Sequence, residues 1–247
     1  MTPAVFIDPA VRPCQAGDCL TLTGSEAHHA VAVRRIQVGE TIDLTDGCGL
    51  RVRGQVTAVA KNPASLTLQV DTCTQEPAPR PRLILVQALA KAGRDEAAIE
   101  MAVEVGADEI IPWQAARSIV TWPVAKAEKK RQRWADIVMA AAKQSRRAYL
   151  PTVQPLHTTK QLSATLADAH ILVLHEQASV PMTSAQLSAP ALAVVVGPEG
   201  GITQAEVDLF GEHAAQAVTV GPYVMRSSTA GPIALAHLAE RCGRWSV

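Results

Sequence analysis

The sequence has 247 residues, with 23 basic and 23 acidic side chains and a formal net charge of zero. Apolar residues make up 48 % and charged residues 19 %, which excludes wholesale disorder and leaves enough material for one large domain or two modest ones. No run approaches the roughly 18 apolar residues of a membrane span and the N-terminus lacks a signal-peptide pattern; the five cysteines (Cys14, Cys19, Cys48, Cys73, Cys242) form no CxxC pair, so neither a disulfide framework nor a metal site is expected, and a cytoplasmic location is.

Short β-type runs dominate the first third: residues 41–45, 52–59 and 65–70, separated by turns such as Asp46-Gly47-Cys48-Gly49. One short helix is expected near residues 25–33. His28 and His29 open it, and a capping or surface role suits them better than catalysis. This pattern predicts a small β-barrel over residues 1–74. Gln75-Glu76-Pro77-Ala78-Pro79-Arg80-Pro81 follows, with three prolines at alternate positions. Each proline fixes its own φ and restrains the residue before it, so residues 75–81 read as an extended linker.

Residues 82–247 change rhythm to strand, then helix, repeatedly. Strands are expected at 83–88, 109–113, 171–174, 191–196 and 217–220, and helices at 95–105, 125–144, 160–167 and 229–241. Residues 191–196 are continuously apolar, as a central parallel strand covered on both faces must be. The alternation implies an α/β domain with a mostly parallel sheet.

Net neutrality hides segregation. Residues 80–160 carry 14 Lys/Arg against 8 Asp/Glu, whereas residues 161–247 carry 3 against 7. The densest run holds Lys126, Lys129, Lys130, Arg131, Arg133, Lys143, Arg146 and Arg147. Two readings fit it equally: a polyanion-binding face or a solvated helix face. The chain has only eight aromatic residues, which disfavours recognition by base stacking on an aromatic platform.

Two Gly-Pro loops follow two of the expected strands. The first is Val196-Gly197-Pro198-Glu199-Gly200-Gly201. The second is Val220-Gly221-Pro222-Tyr223-Val224-Met225-Arg226-Ser227-Ser228-Thr229-Ala230. Loops at the carboxyl ends of parallel strands are where open α/β sheets bind ligands. Thr203 with Glu206 three residues later forms a capping box that starts a helix directly after the first loop. Neither loop fits GxGxxG or GxxxxGK[ST], which excludes a Rossmann fingerprint and a P-loop.

These two loops, in this order, resemble the knot loops of SPOUT-class methyltransferases. Within that class the chain is similar to the 16S ribosomal RNA uridine-N3 methyltransferase family (RsmE). The likeness extends to His29 with Val33-Arg34-Arg35-Ile36, to Gly106-Ala107-Asp108-Glu109, to Arg117-Ser118 and to Ala141-Ala142-Lys143-Gln144-Ser145-Arg146-Arg147. The resemblance implies an N-terminal PUA-like barrel that binds RNA, a SPOUT α/β domain with a C-terminal trefoil knot, and a homodimer. It implies S-adenosylmethionine as cofactor, held by Leu174, His175, Glu176, Val196, Gly197, Pro198, Glu199, Gly200, Gly201, Val220, Gly221, Pro222, Met225, Arg226 and Ser227. The implied partner is 16S ribosomal RNA within the assembled small subunit. With an RNA in view, Arg34, Arg35, Lys129, Arg131, Arg133, Arg146 and Arg147 become its candidate contacts.

Methylation at uridine N3 requires loss of its proton, and the resulting anion is delocalised onto O2 and O4. A guanidinium beside those oxygens stabilises the charge where it develops. Arg226 is the only basic residue in either Gly-Pro loop and takes that catalytic role; its competing role is an ion pair with Glu199. Ser228 stands where many family members have Glu, so no carboxylate at 228 can act as a base. The alternatives are a methyltransferase of the same class acting on another RNA, or a non-catalytic RNA-binding or ribosome-assembly factor.

Overall fold

A computed structural model of the chain describes residues 2–245, the Ser163 side chain excepted; Met1, Ser246 and Val247, which the boundaries 1–74 and 82–247 include, lie outside the described residues. The chain divides into two compact units: Met1–Ala78 with Ala142–Leu150, and Pro79–Ala141 with Pro151–Val247.

The first unit is a five-stranded sheet. Its strands are β1 (Ala4–Ile7), β2 (Cys19–Leu22), β3 (Thr41–Thr45), β4 (Leu50–Lys61) and β5 (Ala64–Gln75), in the order β1-β3-β4-β5-β2. Only β1 and β3 pair in parallel. Alternate residues of β4 and β5 point inward, so Val52, Val56, Leu66, Leu68 and Val70 meet Phe6, Leu22, Ile42 and Leu44 in one core. Register shifts at Arg53/Gly54 and Val56/Ala58 bend the long β4–β5 hairpin around that core. The short helix consists of α1 (Gly24–His28) and one π-helical turn, His29–Val33, which bury Ala27, Ala30 and Val31. The His29 ring meets Phe6 edge-on, and burial lowers its pKa.

Residues 142–150 belong to this unit rather than to the α/β domain in which the sequence pattern put them. The reason is a set of hydrogen bonds that helix periodicity does not reveal. Thr45 Oγ1 donates to the Ala148 carbonyl at 2.9 Å, Leu150 N–H to Gly47 at 2.9 Å, and Tyr149 OH to Glu76 at 3.0 Å. Lys143 pairs with Glu26 at 2.8 Å, and Arg51 donates to the Arg146 carbonyl at 2.8 Å.

The second unit is a parallel sheet flanked by helices. Its strands are β6 (Arg82–Ala88), β7 (Glu109–Gln114), β8 (Thr152–Val153), β9 (His157–Thr158), β10 (Ala169–Leu174), β11 (Ala191–Val196) and β12 (Gln216–Val218). The order is β12-β10-β11-β6-β7-β8, with β9 also on β7. Every pairing is parallel, and β11 lies fully buried near the middle. The helices are α2 (Arg94–Glu104), α3 (Val124–Gln144), α4 (Thr159–Thr165), α5 (Gln204–Gly211) and α6 (Ser227–Arg241). Helices α2 and α6 pack together and against β6, while α4 and α5 pack together with α5 on β10. Trp113 and Phe210 meet edge-on at 5.6 Å in the core beside α5.

The chain runs outward from β6 to β7, then returns across the sheet to β10 before inserting β11 between β10 and β6. That reversal gathers the loops after β6, β10, β11 and β12 at one edge, which is where open parallel sheets bind ligands. Strand β12 stops two residues short of the expected 217–220. Thr219 instead donates from its N–H to Val180 at 2.9 Å and accepts from Met182 N–H at 2.9 Å, so residues 219–220 join the loop.

Candidate active site

A cleft of about 650 Å³ lies at the carboxyl ends of β10, β11 and β12. All fifteen residues that the sequence motif put at a cofactor line it: Leu174, His175 and Glu176 from the first loop, 196–201 from the second, and Val220, Gly221, Pro222, Met225, Arg226 and Ser227 from the third. Arg94, Arg117, Gln177, Ile202, Gln204, Tyr223 and Ala230 complete much of the wall.

The loop after β11 is the most tightly determined part. A Cβ on Gly197 would lie 2.6 Å from Ile202 Cγ1, so only glycine lets the backbone turn back over that side chain. The helix start behind it is fixed by the capping box. Thr203 donates to Glu206 Oε2 from both N–H (3.0 Å) and Oγ1 (2.8 Å). The other oxygen of Glu206 accepts from Ala116 N–H at 2.8 Å and from Thr159 Oγ1 at 3.2 Å. Glu206 is only 6 % exposed, and these four donors are what allow a carboxylate to sit there.

Glu199 does not pair with Arg226. Its Oε1 accepts from Lys91 N–H at 3.1 Å and from Arg94 Nη1 at 3.1 Å. Burial opposes its ionisation, but the backbone N–H groups and the Arg94 guanidinium outweigh that, and its pKa falls below the usual carboxylate value. Arg226 is thereby left at the N-cap of α6, where its carbonyl accepts from Thr229 and Ala230 N–H groups. The residue lines the cleft, and its guanidinium has no ion-pair partner among the described residues. Ser227 Oγ is buried there, also without a described partner. His175 contributes its backbone N–H to Val218 at 3.1 Å, and its ring accepts from Gln177 N–H.

Sequence reasoning missed Arg94 and gave Arg117 no role in the cleft, although both line it; Arg117 Nη1 donates to the Gly200 carbonyl at 3.0 Å. The signal available was position: Arg94 and Arg117 follow β6 and β7, two more strands of the same parallel sheet.

The candidate RNA contacts divide between the units. Arg34, Arg35, Arg146 and Arg147 lie in the first, and Lys129, Arg131 and Arg133 in the second. Several are already engaged. Arg131 is bound to Glu128 at 2.5 Å and donates to the Val153 carbonyl, and Arg133 is bound to Glu96 at 2.5 Å. On α3 the cations without a described partner are Lys126, Lys129 and Lys130, all exposed. Among the described residues no cluster of three or more His, Cys, Asp or Glu side chains could hold a metal ion.

A ligand cleft built from three loops of a parallel sheet, joined to a small β unit, defines a class that the comparisons identify. Residues 76–239 match the family model described as an RNA methyltransferase domain, and residues 22–69 the one described as an RNA methyltransferase PUA domain. The chain is 40 % identical over 237 residues to ribosomal RNA small subunit methyltransferase E of Mycobacterium bovis, covering 93 % of this chain and 89 % of that one. It is 32 % identical over 243 residues to the protein of the same name from Bacillus subtilis, covering 95 % and 94 %. A crystal structure of ribosomal RNA small subunit methyltransferase E from Neisseria gonorrhoeae, bound to S-adenosyl methionine, matches with a TM-score of 0.86 and 25 % identity, covering 97 % of this chain and 98 % of that one. The chain therefore belongs to the ribosomal RNA small subunit methyltransferase E family, and its architecture is a PUA-like domain followed by a SPOUT-class α/β domain.

Replacing Glu206 by Ala would strand four donors around a dry hole. We expect a loss of about 3 kcal/mol or more in the second unit, with Glu206→Gln costing less because one carbonyl acceptor remains. Urea unfolding followed by tryptophan fluorescence reads this directly, since Trp113, Trp122, Trp134 and Trp245 all belong to that unit. A loss below 1 kcal/mol in the Ala variant would show that the loop is held by other contacts.

Proposed function

We propose that the chain transfers a methyl group from S-adenosylmethionine to N3 of a uridine in 16S ribosomal RNA. The observation that carries this reading is one cleft, formed by all three expected loops, with Arg226 on its wall and no ion-pair or side-chain hydrogen-bond partner for its guanidinium among the described residues. The residues present fit such a cofactor. The volume lies within the range of small-molecule sites, and Ser227 Oγ offers an unspent hydrogen-bonding group. Leu174, His175 and Glu176, the residues 196–201 and the residues 220–227 would hold it. When bound, S-adenosylmethionine supplies an electrophilic methyl group.

Arg226 would face the uridine oxygens and stabilise the N3 anion, while the N3 proton leaves to solvent. A group that acts on charge present only as the reaction proceeds favours the transition state over either bound ground state. The reading assigns a PUA-like RNA-binding domain to residues 1–74, joined by residues 142–150, a linker to 75–81 and the methyltransferase domain to the rest of 82–247. It includes a trefoil knot: residues 175–182 hydrogen-bond along residues 218–219, which supports close interlacing of those loops. The substrate is 16S ribosomal RNA in the assembled small subunit, which puts the protein in the cytoplasm.

A strain lacking this chain should lose N3-methyluridine from 16S ribosomal RNA, by mass spectrometry of its nucleosides. The wild-type chain should restore the nucleoside and Arg226→Ala should not. In vitro, on free 16S ribosomal RNA and on small subunits, Arg226→Ala should lower kcat by roughly a hundredfold or more, with a far smaller change in S-adenosylmethionine affinity. Arg226→Lys should recover little, because a point charge lacks the planar two-donor fork. Cofactor affinity lost with kcat intact would make Arg226 a cofactor residue.

For RNA binding, the engaged state of Arg131 and Arg133 shifts the weight to Lys126, Lys129 and Lys130. Reversing these three to Glu should weaken RNA binding with little regard to sequence and make its salt dependence shallower. Arg131→Ala and Arg133→Ala should do less, since each removes a charge already balanced by Glu128 or Glu96. Unchanged affinity in the folded triple variant would return α3 to a solvated face.

The proposed homodimer draws support from large apolar side chains left exposed beside the cleft, Tyr223 at 83 % and Val224 at 79 %, and from Ile233 on α6. Light scattering should give the mass of two chains at micromolar concentration. A stable, active species of 26.1 kDa, the mass of one chain, would refute the dimer.

A further inference from the structure

The methyl-transfer reading uses Arg226 and leaves Arg94 unassigned. Arg94 lines the same cleft, with its side chain 41 % exposed. Its position is unusually well determined for so exposed a cation. Ala92 (φ 56°) and Gly93 (φ 70°) form two successive left-handed residues after β6, a conformation that alanine adopts only at a cost. The turn they make is clamped to the loop after β11 by one atom, Glu199 Oε1, which binds both the Lys91 N–H and Arg94 Nη1. The remaining guanidinium donors, on Nε and Nη2, have no partner among the described residues. An arginine tethered at one corner keeps free donors aimed where its anchor puts them.

Charge indicates what those donors serve. S-adenosylmethionine carries a sulfonium, an ammonium and a carboxylate, a net charge of +1. The cleft already presents Arg94, Arg117 and Arg226 against Glu176 and Glu199, so a third guanidinium gains nothing overall from a cation. RNA is a polyanion. An enzyme that modifies a base must take the nucleotide out of its stack, which costs a few kcal/mol and leaves its phosphates trailing at the mouth of the site. We infer that Arg94 binds an RNA backbone phosphate next to the acceptor nucleotide, and that Glu199 is the positioning residue that aims it. This rests on the methyltransferase reading above, but it concerns affinity for RNA rather than the methyl-transfer step.

The test measures three quantities on Arg94→Ala, Arg94→Lys and Glu199→Gln. They are affinity for small ribosomal subunits lacking the modification, affinity for S-adenosylmethionine by calorimetry, and the split between KM for RNA and kcat. Arg94→Ala should weaken subunit binding roughly tenfold or more, the scale of one charge-assisted hydrogen bond, and reduce the salt dependence by about one charge. KM should rise far more than kcat falls. Arg94→Lys should recover part of the affinity, because a phosphate accepts a point charge. Glu199→Gln should weaken binding less than Arg94→Ala, since its carbonyl can still accept from Lys91 and Arg94. Cofactor affinity lost with subunit affinity intact would overturn the inference and give Arg94 to the cofactor. No change in either would overturn it in favour of a purely structural pair. Should Arg94→Ala fold poorly, Arg94→Lys and Glu199→Gln carry the same comparison, and wild-type subunit affinity left by both would overturn it. Failure of the methyltransferase reading would show separately, as a wild-type chain that binds no S-adenosylmethionine.

Discussion

Glu206 brings four protein donors onto one buried carboxylate, and much of the site follows from that arrangement. One oxygen caps the start of α5 and so fixes where the loop after β11 must end. The other reaches the Ala116 backbone and Thr159, whose hydroxyl also accepts from Trp113 Nε1 at 3.1 Å. The loop after β11, the loop after β7 and the start of α4 are thus tied to one group. An isolated carboxylate so deeply buried would be very costly, and a fully satisfied one rigidifies what surrounds it. The turn of Gly197 over Ile202 can be as tight as it is because its far end cannot drift.

The same economy governs the arginines. Asp43 is buried and takes both Arg51 and Arg53; Glu199 takes Arg94, Glu96 takes Arg133, and Glu128 takes Arg131. Exposed pairs of this kind contribute little to stability, but they decide which cations remain available. A planar guanidinium matches a carboxylate in two-point contact and is readily consumed by neighbours, whereas a lysine on a long exposed stem stays free. Among the described residues, Lys126, Lys129 and Lys130 in the first half of α3 and Arg226 in the cleft are among the cations that this partition leaves without a partner. The basic run of the sequence therefore overstates the charge on offer, and the cleft holds more cations than its two Gly-Pro loops declare.

Secondary structure was largely legible because its signals are local. The continuous apolar run at 191–196 and the Thr203–Glu206 capping box each act within a few residues, and each lies where the pattern put it. The Gly-Pro loops were legible as well, since a glycine forced by close approach leaves a mark in the sequence. The misses were long-range. Residues 142–150 are the end of α3 and the turn that follows it, yet their partners Thr45, Gly47 and Glu76 lie far back in the chain. Likewise the loss of residues 219–220 from β12 depends on Val180 and Met182. Arg94 escaped because it follows β6, and only the strand order brings that end beside β11.

The choice between a protein base and solvent for the uridine proton follows from the same geometry. Position 228 is Ser, so it offers no carboxylate. Of the carboxylates on the cleft wall, Glu199 is committed to Arg94 and Lys91, and those partners that lower its pKa also weaken it as a base. A base must match the acidity of the group it deprotonates, and uridine N3 is only weakly acidic at neutral pH. Lowering the acidity gap from the substrate side is a second route. A guanidinium beside O2 or O4 stabilises the anion relative to the neutral base, so it makes the proton easier to lose to any acceptor, water included. In the proposed reaction Arg226 therefore does the work that a general base would share elsewhere. This depends on Glu199 being occupied by Arg94: a carboxylate left free would compete with the uridine anion for the Arg226 guanidinium.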